Sequence, residues 1–283
     1  MDWEDVRFFL ALARHGSLSA AARQLHVNHA TVARRIGALE AALGQVLFER
    51  RVDGYGLTRN GEAALEAAAA MEASALELSD AVRQDEPQGT VRITAVPSVA
   101  KLVAAGLGGF QAAHPKIAIE LITEIRVASL ARREADLALR LGRPQDSRLI
   151  GRKLTEIRYA FYAAPAIAKA AAKGTAAALV GYDADAKEVL EARWLARTFP
   201  GRPVGFRSNS NDVQAAAARA GLGMVLLPRY MGDTDRGLRE VAGMEPHPPR
   251  ELWLLSPREL ARTPRVRAVM DALVAIFAKP RRA

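Results

Sequence analysis

The chain has 283 residues, 50% of them hydrophobic and 25% charged, and it contains no cysteine. That length predicts two or three domains rather than one core, and the missing cysteines exclude disulfides and thiolate metal sites. The formal net charge of +9 is unevenly placed: residues 1–60 carry +2, residues 61–90 carry −6 and residues 91–283 carry +13. Overall basicity is therefore weak support for a nucleic-acid partner at the N-terminus.

The opening MDWEDVRFF begins with acids and lacks the basic region and apolar run of a secretory signal, and no run of 18 apolar residues occurs. The expectation is a soluble, cytoplasmic protein with no membrane partner. Asp2 is placed to cap a first helix whose Trp3, Val6, Leu10 and Ala13 share one face, and Gly16 is placed to end it. A second helix follows, with Ser17 or Ser19 as its cap and alanines that let another helix cross closely. His26-Val27 reads as a turn and Asn28 as the cap of a third helix.

That third helix has two faces. Val32, Ile36, Leu39 and Leu43 form the predicted buried stripe, while Thr31, Arg34, Arg35 and Ala38 lie opposite, with His29 at the tip. Two short helices and a tight turn, the second helix carrying paired arginines, are what a DNA-reading element needs. Side chains near the start of such a helix reach base edges, and arginine forks grip guanine or phosphate. An Arg-Arg pair alone is more often a solvated face; the helix-turn-helix setting favours DNA.

Residues 47–58 suggest two short strands turning at Asp53-Gly54, a wing that places Arg50, Arg51 or Tyr55 near flanking phosphates. Thr58 caps a long Ala-rich, acidic helix from Gly61 to about Gln84. Leu65, Ala69, Leu76 and Val82 give it an approximate apolar stripe, interrupted by Glu72 and Ser79, and we read it as a dimerising linker. The DEPQG segment from Asp85 is the clearest domain boundary.

Beyond Gly89, strands alternate with helices. Strands are expected at 91–96, 117–123, 136–141, 149–154, 159–163, 179–182, 204–206, within GLGMVLLP at 221–228, and at 252–255, with helices at about 97–113, 211–220 and 265–277. The pattern predicts α/β layers with mostly parallel sheets, which bind ligands at strand carboxyl ends against helix N-termini. Ser98 lies at such a place, either as a carboxylate-binding group or as a plain cap. Arg126 follows the second strand, and Ser208-Asn209-Ser210-Asn211 precedes a later helix. Arg140, within its strand, is equally readable as structural.

These residues resemble the LysR-type transcriptional regulators over nearly the whole chain. The most specific likeness runs from Phe8-Phe9 through GSLSAAA at Gly16, then Leu25, Val32, Arg34, Ile36, Leu39-Glu40, Leu43-Gly44, Leu47-Phe48, Arg50 and Leu57-Thr58 to Gly61. GTVRI at Gly89, DLALR at Asp136, AGLGMVLLP at Ala220 and PRVR at Pro264 are weaker matches. The resemblance implies a winged helix-turn-helix at 1–59, a dimerising linker helix at 60–88, and an effector domain at 89–283. That domain would be like the type 2 periplasmic binding proteins, with lobe 1 at about 89–163 plus 256–283 and lobe 2 at about 164–255. Crossovers between lobes are then expected near 163–165 and 254–256.

The implied partners are double-stranded promoter DNA, a second copy through the linker helix, often as a tetramer, and RNA polymerase in an activator. No cofactor is implied, only a small, often anionic, effector. The candidate DNA contacts are Ser19, Asn28, His29, Thr31, Arg34, Arg35, Arg50 and Arg51. Thr31, Arg34 and His29 would read bases, and Arg35, Arg50 and Arg51 would hold phosphates. The candidate effector contacts are Ser98, Val99, Arg126, Ser208, Asn209 and Leu227. The chain departs from the family pattern at Asn28-His29, where members often have Ser-Gln, at Ala33, and in a short Ala-rich stretch between Ala166 and Arg197.

Other classes carry less. An enzyme would need a nucleophile elbow, a phosphate-cradling glycine loop or a metal-ligand cluster, and the sequence shows none; its five histidines are scattered. A transporter's solute-binding protein suits the α/β part but not the helix-turn-helix. A non-specific nucleoid protein would bind any DNA equally.

Overall fold

The computed structural model describes residues 2–52, 54–82, 86–123, 135–144, 146, 149–183, 186 and 189–278, the side chains of 73, 76–77 and 79–82 excepted. Arg126 and Asp53 lie outside the described residues.

Three helices form the N-terminal module: α1 (Trp3–His15), α2 (Leu18–Leu25) and α3 (His29–Leu43). Each begins on a side-chain cap. Asp2 accepts from the Glu4 N–H, Ser17 (not Ser19) from the Ala20 N–H, and Asn28 from the Thr31 N–H. Gly16 and Gly44, both left-handed, end α1 and α3. His26 makes the turn between α2 and α3 at φ 55°, the one described non-glycine residue with positive φ. Val6, Phe9, Leu10, Leu12, Val32, Ile36 and Leu39 fill the core. Leu43 departs from the expected stripe, being 42% exposed as the last residue of α3 before its Gly44 cap.

The wing is β1 (Phe48–Arg51) paired with β2 (Gly54–Leu57), Arg51 facing Gly54 across the turn. The linker helix α4 (Arg59–Val82) opens on Thr58, whose hydroxyl accepts from the Gly61 N–H at 3.0 Å. Its first half belongs to the N-terminal module. Leu65, Ala68 and Ala69 are buried against that core, and Glu72 pairs with Arg14 of α1. Leu65 and Ala69, expected on a dimerising stripe, are thus spent within the chain.

The rest is two lobes. In lobe 1 the sheet order is β4-β3-β5-β12-β6, from β3 (Gly89–Ala95), β4 (Ile117–Thr123), β5 (Leu137–Leu141), β6 (Leu149–Ile157) and β12 (Arg250–Pro257). In lobe 2 it is β11-β7-β10-β8-β9, from β7 (Tyr159–Ala163), β8 (Leu179–Gly181), β9 (Val204–Arg207), β10 (Met224–Pro228) and β11 (Arg239–Glu240). Both sheets are mixed rather than mostly parallel. β3 is parallel to β4 and β5, and β8 to β9 and β10, but β12 and β7 run antiparallel to their neighbours.

Those two antiparallel strands move the crossovers. β7 pairs in the lobe 2 sheet and β12 in the lobe 1 sheet. The chain therefore changes lobe at Arg158 and again between 241 and 249, not near 163–165 and 254–256. The expected boundaries mistook each crossing strand for part of the lobe it leaves.

Helices cover both sheets. In lobe 1 they are α5 (Pro97–Gly106), α6 (Gly108–Ala113) and α11 (Pro264–Ala278), the expected single helix 97–113 breaking at Leu107. In lobe 2 they are α7 (Pro165–Ala172), α8 (Leu190–Thr198), α9 (Asn211–Arg219) and the short α10 (Arg229–Gly232). The Ala-rich stretch that reads as short thus holds two helices and a strand. One apolar cluster, including Ile93, Leu139, Phe161, Trp194 and Leu226, runs through both lobes. No helix of the described residues is long and apolar enough to cross a membrane.

Candidate nucleic-acid and effector sites

The outward face of α3 is nearly bare. Ala30, Ala33, Gly37 and Ala38 are exposed along it, so the backbone can come close to a partner surface. Arg34 rises from that face, exposed and with no partner among the described residues. His29 and Asn28 are exposed at the tip. The Thr31 hydroxyl is 3.0 Å from Asn28 Oδ1, which also accepts the Thr31 N–H at 2.7 Å, so both residues serve the cap. Ser19 is exposed on α2.

Arg35 behaves differently from Arg34. Its Nη1 lies 3.0 Å from Asp5 and 3.4 Å from Asp2, and its guanidinium sits 5.9 Å from the Phe8 ring centre. The hydrogen bond to Asp5 raises its pKa. The cause is helical geometry: position 35 is three residues from Val32, so it flanks the buried stripe and reaches α1. On the wing, Arg50 is exposed without a partner among the described residues, while Arg51 pairs with Glu49.

Glu40 was not singled out from the sequence as a wing residue. Its carboxylate accepts from the backbone N–H groups of Leu47 (2.7 Å) and Phe48 (3.2 Å), pinning β1 to the end of α3. The Tyr55 N–H donates to the Gly16 carbonyl at 2.7 Å, pinning β2 to the α1–α2 turn. Helix face and wing are thereby presented as one body.

In the effector domain, the N-termini of α5 and α9 come together across the lobes, where Lys101 and Asp212 pair at 2.6 Å. Neither helix has a side-chain cap. Pro97 has no N–H, and the Val99 N–H turns back to the Val96 carbonyl at 2.9 Å. Ser98 therefore keeps both an N–H and a hydroxyl without a partner among the described residues, while being only 7% exposed. Ser208 Oγ accepts from the Ser210 N–H, and Asn209 is exposed. Val99 and Leu227 are core residues, 1% and 0% exposed; Leu227 lies on β10, which has a strand on either side. Arg140 is buried, donating to Thr94 at 2.9 Å and to the Leu139 carbonyl at 3.1 Å, as a structural residue would.

The hinge holds a network that local sequence does not announce. Glu191 of α8 accepts from Tyr159 at 2.8 Å and from Arg250 at 2.9 Å, and Arg250 also donates to the Leu141 carbonyl at 2.6 Å. Both crossing strands and both lobes meet in these four residues. Burial pulls the Glu191 pKa up, but the Arg250 charge and hydrogen bond, together with the backbone and Tyr159 hydrogen bonds, outweigh it and hold the carboxyl below its ordinary value. Burial beside Glu191 pushes Tyr159 up, so it stays a donor.

Comparison with known proteins gives a consistent answer. Residues 3–62 match the bacterial regulatory helix-turn-helix proteins of the lysR family, and residues 84–278 match the LysR substrate binding domain. The chain is similar to the Mau operon transcriptional activator of Paracoccus denitrificans, 30% identical over 99% of this chain and 98% of that protein. Among solved structures it is similar to ArgP of Mycobacterium tuberculosis, with a TM-score of 0.72 at 22% identity, covering 100% of this chain and 99% of that one. It is also similar to full-length LysG of Corynebacterium glutamicum with bound effector Arg, with a TM-score of 0.68 at 19% identity, covering 98% of each.

Proposed function

The chain belongs to the LysR-type transcriptional regulators, with a DNA-binding helix-turn-helix and an effector-binding domain, and from this premise we propose how its residues divide the work. Arg34 is the base-reading residue, with His29 beside it at the tip of α3. Arg50 and Ser19 hold phosphates on either side. Arg35 does not touch DNA; it fixes the angle of α3 on α1. The carrying observation is the bare face of α3, on which Arg34 is the one long, unpartnered side chain. Small residues let the helix sit deep in a major groove, where an arginine fork can meet a guanine edge.

In a footprint on its operator, Arg34→Ala loses about 1–3 kcal/mol of affinity and relaxes base preference at one position of each half-site. Unchanged affinity and preference would overturn the assignment. Unrelated competitor DNA in the same experiment separates specific reading from general DNA coating.

The effector sits between the lobes, on Ser98 and the uncapped starts of α5 and α9. Free N–H groups and helix dipoles there favour a small anion. Closure of the lobes on it changes the angle between subunits paired through α4, and so the bend of an interrupted inverted repeat. The regulator works in the cytoplasm, needs no cofactor, and contacts RNA polymerase when it activates.

A further inference from the structure

Lobe 2 holds a cavity of about 530 Å³ of its own, between α8 and the strands β8 and β9. Its lining divides by chemistry. Leu179, Leu195, Phe199 and Val204 give an apolar floor. Arg193, Arg202 and Arg207 come from α8, from the loop after it and from the end of β9, and all line the same space. Among the described residues none of the three is paired with a carboxylate. Arg207 donates to the Tyr182 carbonyl at 3.1 Å. Arg202 lies over the Phe199 ring, 5.0 Å from its centre, and reaches the Met224 sulfur at 3.9 Å. Arg193 has no partner among the described residues. Asp183, the one acid among the described lining residues, is itself engaged.

Three guanidinium groups around one small volume repel one another, and an entering anion relieves that repulsion. The floor decides the rest. A bare inorganic anion would leave the apolar wall wet, and a neutral apolar molecule would leave the arginines without an acceptor. We propose that this cavity is a second ligand site, apart from the cleft at Ser98. It binds a small amphipathic organic anion, with the carboxylate held by Arg193 and Arg207 and an aromatic or branched body resting on Phe199 and Leu195. Because α8 also carries Glu191, the occupant rests on the helix that anchors the hinge.

The full chain carries its own reporter, since the Trp194 ring lies 5.9 Å from that of Phe199. Titration with 3-phenylpropionate, followed by tryptophan emission, gives a saturable change that Trp194→Phe abolishes. The apparent affinity falls about tenfold in Arg193→Gln and in Ala192→Leu, which fills the cavity. The neutral alcohol 3-phenylpropanol and inorganic phosphate give no comparable change. Thermal unfolding confirms that each variant is folded, and Ala196→Leu, at an exposed position, replaces Ala192→Leu if the latter is not. The site is overturned by no saturable change up to about 10 mM probe, by a change that survives Trp194→Phe, by equal affinity for the alcohol, or by undiminished affinity in Arg193→Gln.

Discussion

Arg34 and Arg35 are adjacent in the chain and opposite in setting, which makes them a test of reading function from single residues. One residue is a rotation of about 100° on a helix, enough to carry a side chain from the open face to the flank of the buried stripe. Arg34 has no partner among the described residues; Arg35 has Asp5, Asp2 and the Phe8 ring. The Asp5 carboxylate is only 8% exposed, so removing its cation leaves a nearly buried charge without its partner. Arg35→Ala is therefore expected to lower the thermal unfolding midpoint of the N-terminal module while base preference in a footprint is kept. Arg34→Ala is expected to do the reverse. Equal midpoints for the two variants would show that the Asp5 contact has no structural part.

At the scale of elements, the wing depends on one glycine. Gly54 has φ 137°, and a Cβ built on it would lie 2.4 Å from the Gly16 carbonyl oxygen, the same oxygen that accepts the Tyr55 N–H. Gly54→Ala should cost about 1–3 kcal/mol of stability and pull the wing from the helices. Amide exchange then rises at Tyr55 ahead of α3, and DNA affinity falls even though no contacting residue has changed; protection unaltered at Tyr55 would refute the tether. The second half of α4 carries another expectation. Leu78 is 68% exposed, and if α4 pairs two copies, Leu78→Glu gives monomers in light scattering. The helices of the N-terminal module were legible because caps, turn residues and 3.6-residue spacing are local signals, as Asn28, Gly16 and the Val32-Ile36-Leu39 stripe show. The partners of Arg35, Glu40 and Glu72 were not, since each reaches across the module to atoms that no spacing rule names. Leu65 and Ala69 show the limit of pattern alone: an apolar stripe says that a face is covered, not by what.

At the scale of the whole molecule, sequence order misleads at the strands that cross between lobes. β7 and β12 read as ordinary strands of the lobe just traversed, and only their antiparallel pairing places them in the other sheet. The place of Ser98 was legible, as the first turn of a helix that follows a strand, whereas the burial of Leu227 in the core was not, because an apolar residue beside a pocket and one in a core look alike in sequence. The hinge network follows from that crossing. Arg250 opens β12 and Tyr159 opens β7, so Glu191 binds the first residue of each crossing strand. The Glu191 and Arg250 side chains are 5% and 16% exposed, and removing one partner of such a pair costs about 3–5 kcal/mol. Arg250→Met should destabilise by that order, and Glu191→Gln in the same chain should recover part of it by discharging the stranded carboxylate. The acid response follows from the sign of the shift. With the folded Glu191 pKa below its unfolded value, the unfolded chain binds the proton more readily, so the contribution is complete above the ordinary carboxylate range and fades as pH falls through the folded value. Denaturant midpoints measured between about pH 6 and pH 3 should fall more steeply for the wild-type chain than for Glu191→Gln/Arg250→Met. Parallel slopes would mean that the network holds its geometry without setting how the two lobes respond to acid.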